Sequence, residues 1–278
     1  MSKEHLKDFI GFGVAGNFAD HLDQAGEASD FVNVKTKEKN APKGIFPFYL
    51  PYSESFLGIY PLSNSDLVYP SNIGEGNLQM EPEIALICEL VYENEKVVDI
   101  IPNYFTAYND CSIRKPNAKK ISEKKNWGEK TKGISSQIIP IDKFEEGGIM
   151  DNYAIASFLK RDGKVFAYGN NSPALTYNYF YSKLKKWMIE KLNTQEDFGP
   201  LEDLNTHIKN CNYPKGTIIS IGATSYSNFG ENTFLEVGDE IFVCVYDMQQ
   251  NSYEDILNQI VSGKNTIESV SLLQQTVV

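Results

Sequence analysis

Two glutamates and one aspartate are the residues of this sequence best suited to chemistry. Glu81 and Glu83 flank Pro82 at the start of an apolar run that alternates like a β-strand, so both side chains project from one face. Asp110 ends the next apolar run, and pairing of the two runs as a hairpin brings it close to both glutamates. Three carboxylates with open positions suit a hard cation such as Mg²⁺, Mn²⁺ or Ca²⁺. The competing interpretation is a solvated acidic face, which is commoner for an isolated pair of acids.

Strands are predicted on both sides of these acids and further along the chain. Runs 84–90 and 97–105 indicate one hairpin, and runs 154–160 and 164–168 indicate another across a turn that contains Asp-Gly. Segment 234–247 contains a further strand after a Gly-Asp turn. Pro82 cannot donate a hydrogen bond to a neighbouring strand, so it predicts an edge or an opening where the acids lie.

Two helices are predicted in the second half of the chain. The first has Ser172 as its N-cap and Pro173 at its first position, followed by apolar residues at helical spacing up to Leu192. The second begins near Ser252 and is ended by Gly263. Strands outnumber helices and do not alternate with them, which favours an α+β fold.

Composition limits the classes of protein. The chain has 278 residues, with 26 Lys+Arg, 37 Asp+Glu and a net charge of −11. This balance argues against binding to nucleic acid or to an anionic membrane. Four dispersed cysteines and a charged N-terminal stretch without an apolar segment predict a reduced, cytoplasmic protein. Residues 33–79 are rich in Pro, Gly, Asn, Ser and Lys, which predicts a loop. We expect one continuous domain, in which residues 1–75 contribute a strand, the segment that carries His21 and a loop that resembles a lid, and residues 76–278 form the metal-binding core.

Residues 11–16 match the pattern G-x-G-x-x-G. In a dinucleotide-binding fold such glycines allow the backbone to approach a pyrophosphate, which makes a nucleotide-dependent oxidoreductase a distant alternative. The further βαβ units of that fold are missing from the sequence, so a strand that leads into a tight turn is the favoured interpretation.

The order of several motifs resembles the fumarylacetoacetate hydrolase superfamily, and the motifs span nearly the whole chain. The matching segments are GFGVAGNFADHLDQAG (11–26), MEPEIALI (80–87), YNDCSIR (108–114), WGEKTKGISSQIIP (127–140), the hairpin and helix at 158–184, PKGTIISIGATSYSNFG (214–230) and LEVGDEIFVCVYD (235–247).

The resemblance implies a mixed β-roll or β-sandwich core of the fumarylacetoacetase C-terminal-like type with few peripheral helices, in a homodimer. It implies that Glu81, Glu83 and Asp110 bind Mg²⁺ or a similar ion. Members of this superfamily cleave, hydrate, isomerise or decarboxylate 2-oxo acids and acylpyruvates. The cation would act as a Lewis acid that stabilises the enolate formed from such a substrate.

The resemblance also implies roles for residues outside the acidic triad. His21 would be the general base, and Lys132, or alternatively Lys130, would add positive charge beside the enolate. Gly222 and Thr224 would contact the substrate. Without the resemblance, a lone histidine is more often structural, and a lysine in this lysine-rich segment is more often solvated.

One departure from the superfamily pattern bears on the reaction. Hydrolytic members commonly pair the histidine with a glutamate one helical turn later, where this chain has Gln24. Glu27 lies further along, off the same helical face. The replacement therefore weighs most against hydrolysis. It weighs less against decarboxylation or tautomerisation, because these reactions need no activated water. A non-catalytic relic that binds a metal or a 2-oxo acid is the main alternative.

Overall fold

The computed structural model describes residues 3–19, 21–70, 77–114, 118–264 and 267–278. Strands dominate these ranges, and most of the helices are short. The strands are β1 (Ile10–Ala15), β2 (Gly44–Tyr49), β3 (Leu62–Ser63), β4 (Asp66–Leu67), β5 (Leu78–Gln79), β6 (Pro82–Glu93), β7 (Lys96–Asn109), β8 (Ser112–Ile113), β9 (Lys132–Ile134), β10 (Ile139–Pro140), β11 (Tyr153–Arg161), β12 (Lys164–Ala167), β13 (Ser172–Pro173), β14 (Gly216–Ser220), β15 (Glu240–Asp247) and β16 (Val270–Val277). The α-helices are α1 (Lys3–Leu6), α2 (His21–Gln24), α3 (Tyr181–Thr194), α4 (Leu204–Asn210), α5 (Asn228–Glu231) and α6 (Tyr253–Val261).

Two mixed sheets form the core. The larger has the order β2-β1-β14-β6-β7-β9-β3, with β10 also paired to β7, and the smaller has the order β12-β11-β15-β16-β4, with β13 paired to β11. Apolar side chains from both sheets, such as Leu86, Phe105, Val243 and Leu273, belong to one buried cluster. The expected α+β fold with a mixed β core and few peripheral helices is therefore confirmed. None of the helices in the described residues has the length and apolar character needed to cross a membrane.

The hairpin of β6 and β7 is the element that positions the acidic triad. Its antiparallel register pairs Pro82 with Asn109 and Glu83 with Tyr108, so the start of one strand lies beside the end of the other. β14 pairs with β6 only from Ala85 onward, and the loop after β14 continues along the start of β6, where the N–H groups of Ile221 and Thr224 donate to the carbonyls of Ile84 and Pro82. The predicted hairpin is confirmed, whereas the predicted opening at Pro82 is covered by this loop.

The glycine-rich segment is part of the larger sheet. Gly11 and Gly13 lie in β1, and a Cβ atom at either position would come within 2.3 Å of the Phe48 or Phe46 ring. Close packing of β2 on β1 therefore requires these two glycines, as expected for a strand that leads into a tight turn.

The two predicted helices differ in how well the sequence located them. α6 begins after a capping box at Ser252 and is followed by Gly263 with φ of 76°, as predicted. The predicted start of the first helix at Pro173 is wrong, because Ser172 and Pro173 pair with β11 and α3 begins only at Tyr181. The apolar residues that precede Tyr181 pack into the core, but they are not part of the helix.

The predicted loop over 33–79 is wrong in part. β2, β3 and β4 fall within it, and they belong to the two sheets. Residues 71–76 of the proposed lid lie outside the described residues, so the lid stays a prediction.

A 3₁₀ turn at Ile121–Lys124 directs the side chain of Lys124 into the protein. The Ser122 hydroxyl donates a hydrogen bond to the buried carboxylate of Glu202 at 3.0 Å. Burial raises the pKa of Glu202 to about 7, and the bond from Ser122 opposes this shift. The titratable groups around this carboxylate are Lys120, Glu123, Asp197 and His207.

We expect Glu202 to make stability fall with rising pH. Its pKa in the folded protein is raised from 4.5 to about 7, so its favourable contribution is complete below pH 4.5 and is lost as the pH rises through 7. The Glu202→Gln variant should lack this decline, which amounts to at most about 3 kcal/mol. Urea unfolding at a series of pH values measures the decline in the free energy of unfolding. If this free energy depends on pH identically in wild type and variant, the raised pKa does not belong to Glu202.

Candidate metal centre

Three buried carboxylates come together at the open end of the β6–β7 hairpin. Glu81, Glu83 and Asp110 are 3%, 2% and 0% exposed, and one oxygen from each lies within 4.8 Å of the others. The backbone N–H of Asp110 donates to the Glu81 carbonyl at 3.0 Å, which fixes the two segments side by side. The alternative of a solvated acidic face is wrong, because these side chains point into the protein.

Glu83 experiences the repulsion within the triad most strongly. Burial, together with the charges of Asp110 and Glu81, raises its pKa well above the ordinary value. Its Oε2 accepts one hydrogen bond, from the backbone N–H of Gly222 at 2.8 Å. Gly222 has φ of +117°, and a Cβ there would lie 3.0 Å from the Cβ of Asn17, so glycine is required for this approach.

The ammonium group of Lys125 bridges two of the acids. Its Nζ lies 2.5 Å from Glu81 Oε2 and 2.6 Å from Asp110 Oδ2. Burial alone would raise the pKa of Glu81, but Lys125 and Arg114 lower it below its ordinary value. The sequence-based expectation that this lysine-rich segment is solvated is wrong for Lys125, which is 3% exposed.

Arg114 connects the triad to the rest of the site. Its NH1 lies 2.8 Å from both Glu81 Oε1 and Glu27 Oε1. Its Nε donates to the Gln79 side chain and its NH2 to the Tyr226 hydroxyl, at 2.7 and 2.8 Å. One guanidinium group thus holds two acids from different segments.

Glu27 enters the site although it was expected off the histidine's helical face. α2 ends at Gln24, and Gly26 has φ of 69°, so the chain turns back and directs Glu27 inward. Its carboxylate pairs with Arg114 and with Lys124 Nζ, at 2.8 and 2.9 Å.

Gln24 bonds to the backbone of Tyr226 and not to His21. Its Oε1 accepts from the Tyr226 N–H at 2.9 Å, and its Nε2 donates to the Tyr226 carbonyl at 3.2 Å. It therefore fixes the loop after β14, and among the described residues it makes no hydrogen bond with His21.

His21 is buried beside the triad. Its Nδ1 lies 3.0 Å from the Thr224 carbonyl; since a carbonyl oxygen only accepts, Nδ1 carries the proton and Nε2 keeps a free lone pair. Burial lowers the pKa of His21 to about 4, against the opposing effect of Glu81. A neutral imidazole near pH 7 has the protonation state of a general base.

The structure separates the two alternative lysines. Lys132 is fully buried in β9, where its Nζ donates to the carbonyls of Asp110, at 2.9 Å, and Cys111. Burial lowers its pKa, and Asp110 opposes that shift. Lys130 instead pairs with Asp66 at 2.7 Å with its side chain 45% exposed, so the structure does not bring it to the triad.

Thr224 lies at the site with its hydroxyl directed at the backbone. It is 1% exposed, and its Oγ1 donates to the Pro82 carbonyl at 3.3 Å. Thr224 therefore helps to position β6 and, through its own carbonyl, His21.

A small cavity adjoins the triad. It measures about 20 Å³ and is lined by His21, Glu27, Lys125, the three acids and the apolar side chains of Phe31 and Phe46. That volume holds about one water molecule, so a larger ligand requires some of these side chains to move.

Solved structures with the same fold include one whose name gives the family that the sequence resembles. This chain superposes on 2-keto-3-deoxy-D-arabinonate dehydratase, complexed with magnesium and 2,5-dioxopentanoate, with a TM-score of 0.53 and 15% identity over 100% of this chain and 80% of that one. It superposes on Cg1458 with inhibitor with a TM-score of 0.55 and 17% identity, over 97% and 76%. A Yersinia pestis CO92 protein assigned to the fumarylacetoacetate hydrolase family gives 0.50 and 12%, over 97% and 93%. The chain has the fumarylacetoacetate hydrolase fold.

The sequence family is narrower than this fold. The profile of the family described as "family of unknown function (DUF5718)" matches residues 27–277, and the chain belongs to that family. No curated protein sequence matches the chain significantly.

We expect Arg114→Met to destabilise the protein strongly. The substitution leaves Glu27 and Glu81 buried with one cation fewer, which typically costs about 3–5 kcal/mol. Urea unfolding measures the loss. The control Lys37→Met breaks the exposed Lys37–Glu190 pair, in which the lysine side chain is 80% exposed, and should cost less than about 1 kcal/mol. If both variants lose the same free energy of unfolding, the buried contacts of Arg114 contribute no more to stability than the exposed Lys37–Glu190 pair does.

Proposed function

We propose that this protein is a divalent-metal-dependent enzyme that acts on a small 2-oxo acid or acylpyruvate. The single observation that carries the proposal is the group of three buried carboxylates within 4.8 Å of one another. The fold is shared with enzymes, one of them a dehydratase in complex with magnesium, which supports the same class of chemistry here.

The residues present fit a hard cation. All three triad side chains offer carboxylate oxygens, the ligands that Mg²⁺, Mn²⁺ and Ca²⁺ prefer. Among the described residues, the buried carboxylate oxygens of Asp110 contact only the ammonium groups of Lys125 and Lys132, at 2.6 and 3.4 Å. The raised pKa of Glu83 reflects acids that a divalent cation would stabilise in their charged form.

When bound, the cation would supply a Lewis acid for the carboxylate and 2-oxo oxygens of the substrate. The ammonium group of Lys132, held by Asp110, would add positive charge beside a developing enolate. His21, with its proton on Nδ1, would accept or return a proton at Nε2.

The surroundings of His21 bear on whether the enzyme is a lyase, an isomerase or a hydrolase. Gln24 is engaged with the Tyr226 backbone, so it supplies no negative charge to an imidazolium. The nearby acids Glu81 and Glu27 raise the pKa of His21, but burial outweighs them. This balance favours lyase or isomerase chemistry, in which a proton moves within the substrate, over hydrolysis by an activated water.

A non-catalytic relic that binds a metal or a 2-oxo acid is the second candidate. The small cavity of about 20 Å³ favours the metal-binding form of this candidate, because a metal ion needs less room than a 2-oxo acid. Turnover of an acylpyruvate and oxaloacetate panel distinguishes the two candidates, since the relic binds ligand and forms no product. The homodimer is likewise part of the proposal, and light scattering of the purified protein tests it.

We expect Mg²⁺ and oxalate together to raise the melting temperature more than either does alone. Oxalate resembles the enolate of pyruvate, and a ligand at 100 times its Kd stabilises by about 2.7 kcal/mol. Glu83→Gln keeps the side-chain shape and should lose this joint shift, whereas Glu240→Gln, in a surface pair with Lys160, should keep it. An undiminished joint shift in Glu83→Gln would show that the ligands bind elsewhere.

Substitution of His21 should separate binding from chemistry. In His21→Asn we expect kcat to fall by about 10²–10⁴-fold, the usual contribution of a general base, while Mn²⁺ affinity changes little. Steady-state kinetics on the best substrate of the panel and a Mn²⁺ titration measure the two effects. Wild-type kcat in this variant would remove His21 from the mechanism.

A further inference from the structure

The position of Lys125 conflicts with that of a divalent cation. Its Nζ lies 2.5 and 2.6 Å from one oxygen of Glu81 and one of Asp110. Those two oxygens belong to the carboxylate triad, and Ca²⁺ binds carboxylate oxygens at about 2.3–2.6 Å, with Mg²⁺ closer still. An ion that binds these same two oxygens would therefore need the volume that the ammonium group fills.

The other buried cations are held outside this position. Lys132 donates to the backbone carbonyls of Asp110 and Cys111, and Arg114 is anchored by Gln79 and Tyr226. Lys124, the neighbour of Lys125, pairs with acids beyond the triad. By contrast, among the described residues the ammonium group of Lys125 forms hydrogen bonds and ion pairs with Glu81 and Asp110 alone.

A displaced ammonium group would still have an acid near it, because Lys125 and Glu27 both line the small cavity beside the triad. The flexible stem of a lysine allows its end group to move while the backbone stays in place.

We propose that Lys125 is a built-in competitor for the metal position, which a divalent cation displaces from Glu81 and Asp110 when it binds. The proposal rests on the metal site of the proposed function. It adds that the protein without metal keeps its acids paired through Lys125, so that metal affinity is set by competition with this one side chain.

Manganese affinity tests the competition directly. The free Mn²⁺ signal in electron paramagnetic resonance gives Kd for the chelator-treated wild type and for Lys125→Met, with no need for turnover. We expect Lys125→Met to bind Mn²⁺ at least about tenfold more tightly. Lys124→Met is the matched control, since it removes the same charge one residue away, from a side chain paired with Glu27 and Asp30; its affinity should change by less than about threefold.

Two further measurements cover the case in which Lys125→Met fails to fold. Lys125→Gln is neutral and keeps a hydrogen-bond donor, so it should also bind Mn²⁺ more tightly than wild type. In the wild type, amine-reactive labelling followed by mass spectrometry should show Lys125 labelled several-fold faster with Mn²⁺ than without it, because the amine leaves its two acids.

The outcomes separate this inference from the proposed function. If wild type and the Lys125 variants bind Mn²⁺ equally, the competition is refuted while the metal site stands. The same holds if Lys124→Met gains as much affinity as Lys125→Met, because general charge then explains the effect. If no variant binds Mn²⁺ and labelling is unchanged, both the competition and the metal site are refuted.

Discussion

The structure around the site depends on the need to compensate buried negative charge. Three carboxylates that lie within 4.8 Å of one another repel strongly where water cannot screen them. Arg114, Lys125 and Lys132 surround them; Arg114 and Lys125 come from the segment between β7 and β9, and Lys132 is the first residue of β9. Their attraction to the acids offsets the cost of burial only while every partner is in place.

This constraint explains features that otherwise look unrelated. The turn that includes Ser122 is tied to Glu202, and it delivers Lys124 and Lys125 to the interior. The reversal of the chain at Gly26 brings Glu27 to Arg114 and Lys124. Segments far apart in sequence are thus joined by ion pairs at one point of an otherwise apolar core.

The sequence was informative where structure depends on local patterns. Alternation and turn residues predicted the β6–β7 hairpin, and its register alone brings Asp110 to Glu81. The capping residue Ser252 and Gly263 located α6. The start of α3 was misplaced, because pairing of Ser172 with β11 is a long-range contact that overrides a local helix signal.

The electrostatic part of the site was harder to predict. Nothing in the run of lysines at 119–125 marks Lys125 as buried, because burial depends on acids contributed by distant strands. Helical periodicity places Glu27 off the face that carries His21, whereas α2 ends at Gln24. A glycine two residues after Gln24 is the local signal that a turn follows.

The formal charges of the site also connect cation binding with substrate binding. The buried acids Glu27, Glu81, Glu83 and Asp110 are equal in number to the cations Arg114, Lys124, Lys125 and Lys132, and the more exposed Asp30 is a second partner of Lys124. A divalent cation therefore makes the site more positive. A 2-oxo acid brings a carboxylate, and oxalate brings two, which restores the balance. Metal and anion should therefore each raise the affinity of the site for the other, and by linkage the two effects are equal. The dependence of Mn²⁺ affinity on oxalate concentration measures this coupling. If the affinity does not change with oxalate concentration, charge balance does not couple the binding of metal and anion.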